Sequence, residues 1–328
     1  MQEEKYIPGF DWVRIIGPLL VVLSHYGVFD GFVTSHSYAS MFKALVPVFF
    51  IMSGYLSGRS FSRERIWKKV VKYCLVYMLM GVCAQLYMHL ADVPVNGYFS
   101  YTGFFVNSVK CLVTPAGITY QLWFIPCLLY PTLLNACLDG KSRRYVIAAA
   151  ALLSVLFTAI GKDAVVAFYE KVTDAMPILL KVTSPTEMRI VTTRYVSGFL
   201  FTTIGFALAS TELRPSRLLL VLIPAAAFEL GVFDLGVTSI VLPLLVFYIV
   251  KRLPGRFLYP YHRQISLFAL TMFFLHLTEK QLVIRFITEN IFWNLVIITA
   301  VNLLITIVFS GNNKKRAGEP VAAAPEET

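Results

Sequence analysis

The chain has 328 residues, 57% of them hydrophobic and 15% charged, with a mean hydropathy of +0.68 and a formal net charge of +10. Soluble domains carry roughly 25% charged residues, so this composition excludes an ordinary soluble enzyme and predicts an all-α polytopic membrane protein. The positive balance does not imply nucleic acid, because the basic residues are spread over loops beside apolar segments and form no basic polar domain.

A window of about 20 residues predicts about ten membrane helices. In chain order they cover 12–33, 41–58, 69–90, 121–138, 145–161, 192–210, 216–230, 236–252, 265–284 and 290–310. Lysine and arginine accumulate on the cytoplasmic side of such proteins. With the N-terminus inside, the inner segments hold Lys5, the run from Arg59 to Lys72, Lys141 to Arg144, Arg214 and Arg217, Lys251 to Arg263, and Lys314 to Arg316. That asymmetry places both termini in the cytoplasm. The start, MQEEKYIPGFD, lacks a basic n-region and leads into a long apolar run containing Arg14, so the first span is expected to be retained. Residues 1–310 then form one membrane domain, and 311–328, rich in Ala, Pro and Glu, a disordered cytoplasmic tail.

The first span is the most informative element. Arg14 and His25 are eleven residues apart in FDWVRIIGPLLVVLSHYGVF. Eleven residues turn about 1100°, within about 20° of three full turns, and rise about 16 Å, so both project from one face. Two ionisable groups in one span are costly unless they face a cavity or pathway, and a shared cleft is the expectation. Pro18 lies between them and is a site where the helix can kink. The second span carries Phe49-Phe50-Ile51-Met52-Ser53-Gly54-Tyr55. Ser53 beside Gly54 either hydrogen-bonds a ligand or permits close helix packing.

The run Arg59, Arg63, Arg65, Lys68, Lys69 and Lys72 is denser than orientation alone requires. It serves topology, or it holds an anionic, phosphorylated ligand at the inner surface. The stretch 91–120, with Asp92 and Lys110 its only charges, is expected as a re-entrant or interfacial segment on the outside. Trp123 either anchors its span at the interface or lines the cleft. After Gly161, the charges from Lys162 to Lys181 rule out a crossing helix, and that stretch is assigned outside. His276 and Glu279, three apart in the ninth span, fit a proton relay or an ion pair; His36, His89 and His262 fall at span ends or loops and receive no role. The five cysteines form no C-x-x-C pair, so neither a disulfide framework nor a thiolate metal site is expected, and no histidine and carboxylate group has metal-ligand spacing.

Arginine, ten intervening residues and histidine in the first span, followed by FFIMSGY in the second, resemble the acyltransferase-3 family of integral membrane acyltransferases. Further similarity lies in Trp67 to Lys72, in Gln121 to Ile125, in FLFTTIGFAL from Phe199 to Leu208, and in Phe273-Phe274-Leu275-His276. In the basic run this chain has lysines where the family favours arginine, and Tyr73-Cys74-Leu75 where a proline is usual. The resemblance implies transfer of an acyl group, most often acetyl, from cytoplasmic acetyl-coenzyme A to a hydroxyl of a carbohydrate, envelope component or small molecule. His25 is then a general base on the acceptor hydroxyl or a transient acyl carrier, two routes the residues leave open. Arg14 and the cluster Arg63, Arg65, Lys68, Lys69 and Lys72 hold the donor; Ser53, Trp123, His276 and Glu279 are candidates for substrate contact. The rival expectation is a proton-coupled secondary transporter, with Arg14 holding a small anionic or amino-acid substrate and His25 carrying the proton.

Overall fold

The computed structural model describes residues 6–25, 45–59, 62–90, 123–176, 185–210 and 240–311. Among them every regular element is helical. In chain order these are α1 (Pro8–His25), α2 (Leu45–Arg59), α3 (Arg63–Leu90), α4 (Phe124–Cys137), α5 (Gly140–Ile160), α6 (Lys162–Ala175), α7 (Pro185–Ser210) and α8 (Val241–Arg252). A 3-10 turn (Arg256–Tyr261) then leads into α9 (His262–Phe286), followed by α10 (Ile291–Gly311). The expected segments 91–120 and 216–230 and the tail from 312 fall outside the described residues.

Local chemistry accounts for the ends that sequence periodicity misplaced. The third helix starts at Arg63, six residues before its apolar stretch, where the Ser62 hydroxyl accepts from the Arg65 amide at 3.1 Å. The fifth starts at Gly140 because the Asp139 carboxylate accepts from the Ser142 amide at 2.7 Å. The charged stretch after Gly161 is a helix, α6, but its 14 residues span about 21 Å, short of a bilayer crossing. Pro18 does not interrupt α1, which runs on to His25.

By length and composition, one described helix, Ile291–Ser310, is long and apolar enough to cross a membrane; Leu45–Arg59 and Phe124–Cys137 are shorter apolar helices. Large apolar side chains nevertheless face outward. Trp67, Val71, Leu75 and Leu79 form a stripe at helical spacing on α3, and Leu303, Leu304, Ile307 and Val308 are exposed on α10.

The chain divides into two compact units, one of residues 1–26 with 252–328, the other of residues 27–251. In the first, α1 packs on α9 and α9 on α10. Val22, Phe268, Met272, Val283 and Ile298 form its apolar core. At the start of α1 the Trp12 indole donates to the Pro254 carbonyl at 2.8 Å, which ties the 254–255 turn down.

In the second unit α7 is central and contacts α2, α4, α5 and α6. Its approach to α2 depends on two glycines. A Cβ on Gly54 would run into the Thr202 carbonyl, and one on Gly205 into the Ile51 carbonyl and, at 3.0 Å, the Gly54 Cα. Ile66 and Val70 of α3, Leu129 of α4 and Phe206 of α7 complete a core at one end of this unit.

Candidate functional site

Helix α2 gathers the second unit's separate sequence motifs. Phe50 is fully buried and stacks on Phe124 with ring centroids 4.6 Å apart; Trp123 meets Phe50 edge-on at 6.2 Å. One turn further, Ser53 meets α3. The Lys69 ammonium donates to the Ser57 hydroxyl at 2.6 Å and to the Ser53 hydroxyl at 3.0 Å, and lies 5.5 Å from the Tyr73 ring centroid. Ser57 in turn donates to the Ser53 carbonyl at 2.7 Å. Among the described residues the half-buried Lys69 ammonium is held by two hydroxyls and a carbonyl, with no carboxylate, an arrangement that suits an incoming anion.

A second concentration of cations lies over Tyr55. Its buried ring takes Lys251 of α8 at 4.8 Å and Arg59 at 5.8 Å, with Phe247 edge-on at 5.4 Å. At Trp123 the partner is Arg194 of α7, almost fully buried, with its guanidinium 4.7 Å from the ring centroid. Such stacking supports a cation where water is scarce.

In the first unit the chemistry gathers around Asp11, which is completely buried. The Arg14 guanidinium donates to Oδ1 at 2.7 Å, the Tyr6 hydroxyl donates to Oδ2 at 2.8 Å, and His262 Nδ1 lies 2.9 Å from both oxygens. Arg14 Nη1 is 3.4 Å from the same Nδ1, so two nitrogen groups converge on one carboxylate. Asp11 stands one residue before the expected first span. Burial pushes its carboxyl up, but the hydrogen bonds from His262, Arg14 and Tyr6 outweigh burial and hold it below the ordinary carboxylate range. The Tyr6 phenol is pushed up, by burial first and then by its bond to Asp11.

Of the residues singled out from sequence, Ser53 and Lys69 are brought together, and Trp123 joins the aromatic group around Phe50. Lys68 instead pairs with Glu64 at 2.6 Å on an exposed face, and Arg65 and Lys72 are exposed. Arg14 is engaged by Asp11. The side chains of His25, Arg63, His276 and Glu279 lie outside the described residues; α1 ends at His25 and α9 contains positions 276 and 279. Fourteen positions after Asp11, His25 falls about 40° from it around the helix, on the face that also carries Arg14.

Sequence reading missed Asp11, His262, Ser57 and Arg194. Asp11 had a usable signal, a carboxylate three residues before the arginine. His262 had none, since 251 positions separate it from the carboxylate it bonds. Among the described residues no group of histidine, cysteine and carboxylate side chains is arranged to hold a metal ion.

No curated protein and no solved structure matches the chain. The model of the acyltransferase-3 family, described as an acyltransferase domain, matches residues 7–311, so that nearly the whole chain is accounted for and the protein belongs to that family of membrane acyltransferases.

Proposed function

We propose that the protein is a multi-pass O-acyltransferase of the cell membrane with about ten spans and both termini in the cytoplasm. It moves an acyl group, acetyl in the first instance, from acyl-coenzyme A to a hydroxyl of a carbohydrate, envelope component or small molecule. The outward apolar stripes on α3 and α10 support a lipid surrounding, because a water-facing surface of that kind would aggregate. Inner-loop basic residues support the orientation.

The observation that carries the reading is the junction of Lys69 with Ser53 and Ser57. It joins the basic run to the Phe-Phe-x-x-Ser-Gly segment and, among the described residues, leaves a cation there without a carboxylate partner, which suits the phosphates of a coenzyme A donor. In the other unit, Arg14 supplies a planar fork of donors, of which one nitrogen is held by Asp11. His25, about three turns along the same helix face, is assigned to the acceptor. As general base it takes the hydroxyl proton while the oxygen attacks the thioester carbonyl, the C–O bond forms, the C–S bond breaks, and the thiolate leaves to be protonated. As acyl carrier its ring nitrogen attacks the thioester carbonyl first, the C–S bond breaks and the thiolate leaves to be protonated; the hydroxyl oxygen then attacks the acyl-imidazole, the C–O bond forms, the C–N bond breaks and the freed ring nitrogen takes the hydroxyl proton.

Purified protein given radiolabelled acetyl-coenzyme A and an acceptor extract is expected to release coenzyme A. Release should fall about 10²–10⁴-fold in His25→Ala. Lys69→Met should raise the donor KM by roughly 10–100-fold, the loss of one charge-assisted contact, with a smaller effect on kcat. Turnover that survives His25→Ala rejects the assignment. Solute uptake without donor consumption would instead identify a proton-coupled transporter.

A further inference from the structure

Arg59 and Lys251, both in the second unit, share one aromatic ring. On α2, Arg59 stands one turn after Tyr55, and on α8, Lys251 stands one turn after Phe247. Tyr55 and Phe247 meet edge-on at 5.4 Å, so the ring pair brings the last turns of the two helices together. Both cations then lie beside the buried Tyr55 ring, Lys251 at 4.8 Å and Arg59 at 5.8 Å from its centroid. Among the described residues neither has a carboxylate partner. The ring is neutral, and each helix C-terminus contributes only about half a negative charge. Ring and termini hold the cations in place, but a net positive charge remains where the two helices end. Arg59 is exposed and Lys251 partly so, which leaves the pair open to a ligand.

We propose that Arg59, Lys251 and the Tyr55 ring form a headgroup site for an anionic phospholipid, whose phosphate accepts from both cations at the membrane surface where α2 and α8 end. The chain belongs to a family of membrane proteins, and α2 is an apolar helix that closes on Arg59. An aromatic ring under basic side chains at a helix end is the arrangement found at headgroup level, and basic pockets between spans take up lipid phosphates there. Ile249, in the last turn of α8, is exposed, as suits a helix with one side toward acyl chains. The site is separate from the Lys69 junction. Ser53 and Ser57, which hold Lys69, each stand two residues from Tyr55, about 200° around α2, so the two groups of cations occupy opposite sides of that helix. The inference goes beyond the transferase reading and does not depend on the identity of the acyl donor.

The test is native mass spectrometry of the full-length protein in detergent, given an equimolar mixture of phosphatidylglycerol and phosphatidylcholine with the same acyl chains. The wild type is expected to retain phosphatidylglycerol in preference. Arg59→Met combined with Lys251→Met should reduce that preference about 10–30-fold, and Lys251→Met alone about fivefold. Arg59→Lys combined with Lys251→Arg, which keeps both charges, should retain it. Arg144→Met, which removes an exposed cation elsewhere on the same unit, should leave it unchanged. A melting curve for each variant checks that it is folded, and the single variant carries the test where the double one is not. Equal retention by the wild type and a folded charge-removing variant overturns the site, as does an equal loss in Arg144→Met, the mark of general charge attraction. Inorganic pyrophosphate, titrated calorimetrically, separates a soluble phosphate from a lipid one: pyrophosphate binding that needs Arg59 and Lys251, with lipid retention that does not, overturns the lipid assignment. None of these readouts uses donor turnover, so failure of the transferase reading shows separately, in the coenzyme A release assay.

Discussion

Asp11 is the residue on which the first unit's polar chemistry turns. Its unfolded carboxyl binds a proton near pH ~4, and its folded carboxyl only at lower pH. The stabilisation is therefore fully present above about pH 4 and drains away as pH falls toward the folded value. Melting temperature measured from pH 7 down to pH 3 should decline below about 4 in the wild type. Asp11→Asn should cost about 1–3 kcal/mol at pH 7, because the buried donors lose a charged acceptor, and the difference between the two proteins should narrow in acid. An Asn variant that tracks the wild type at every pH would show that the carboxylate contributes nothing. Arg14 was legible from sequence as a costly charge in an apolar run. Its partner His262 was not, because proximity between distant chain positions leaves no local periodicity to read.

Helix pairing explains the glycine in each of FFIMSGY and FLFTTIGFAL. Gly54 and Gly205 face each other, so the backbones of α2 and α7 touch, and Ser53 is carried into reach of Lys69 on α3. Sequence left Ser53-Gly54 open between ligand contact and packing; the glycine lies at the close approach of the helices and the serine hydroxyl accepts from Lys69. Gly54→Ala and Gly205→Ala should each cost about 1–3 kcal/mol, since the added methyl meets backbone that cannot rotate away. The double variant should cost less than the sum, because a single separation of the helices relieves both clashes. Melting temperatures of the three variants check this, and full additivity would show that the glycines act at separate contacts. The turn between α4 and α5 illustrates the limit of periodicity. Arg143 reaches back to the Asn135 carbonyl at 2.9 Å and lies over Phe206 at 5.5 Å, so a residue counted only as an inner-loop charge also caps a helix end.

For the molecule as a whole, the charge pattern predicts orientation independently of the site. A fluorescent reporter fused after residue 328 should be active, and a periplasmic phosphatase at the same point inactive; the opposite pair would reverse the topology. Phosphatase fused within 162–175 should be active, as expected of an outer segment. Composition and hydropathy were enough for the all-helical class and for most positions of the described helices, because burial in lipid demands long apolar runs whose backbone groups are satisfied within each helix, a constraint written locally in the chain; the family was legible in the Arg14-to-His25 spacing and the FFIMSGY segment. Which charges meet was a different matter. The joining of residues 6–25 to residues beyond 252, the Asp11 contacts and the Lys69 junction depend on close approach between remote segments, where a missing Cβ or one buried carboxylate sets the geometry, and a hydropathy pattern carries no trace of either.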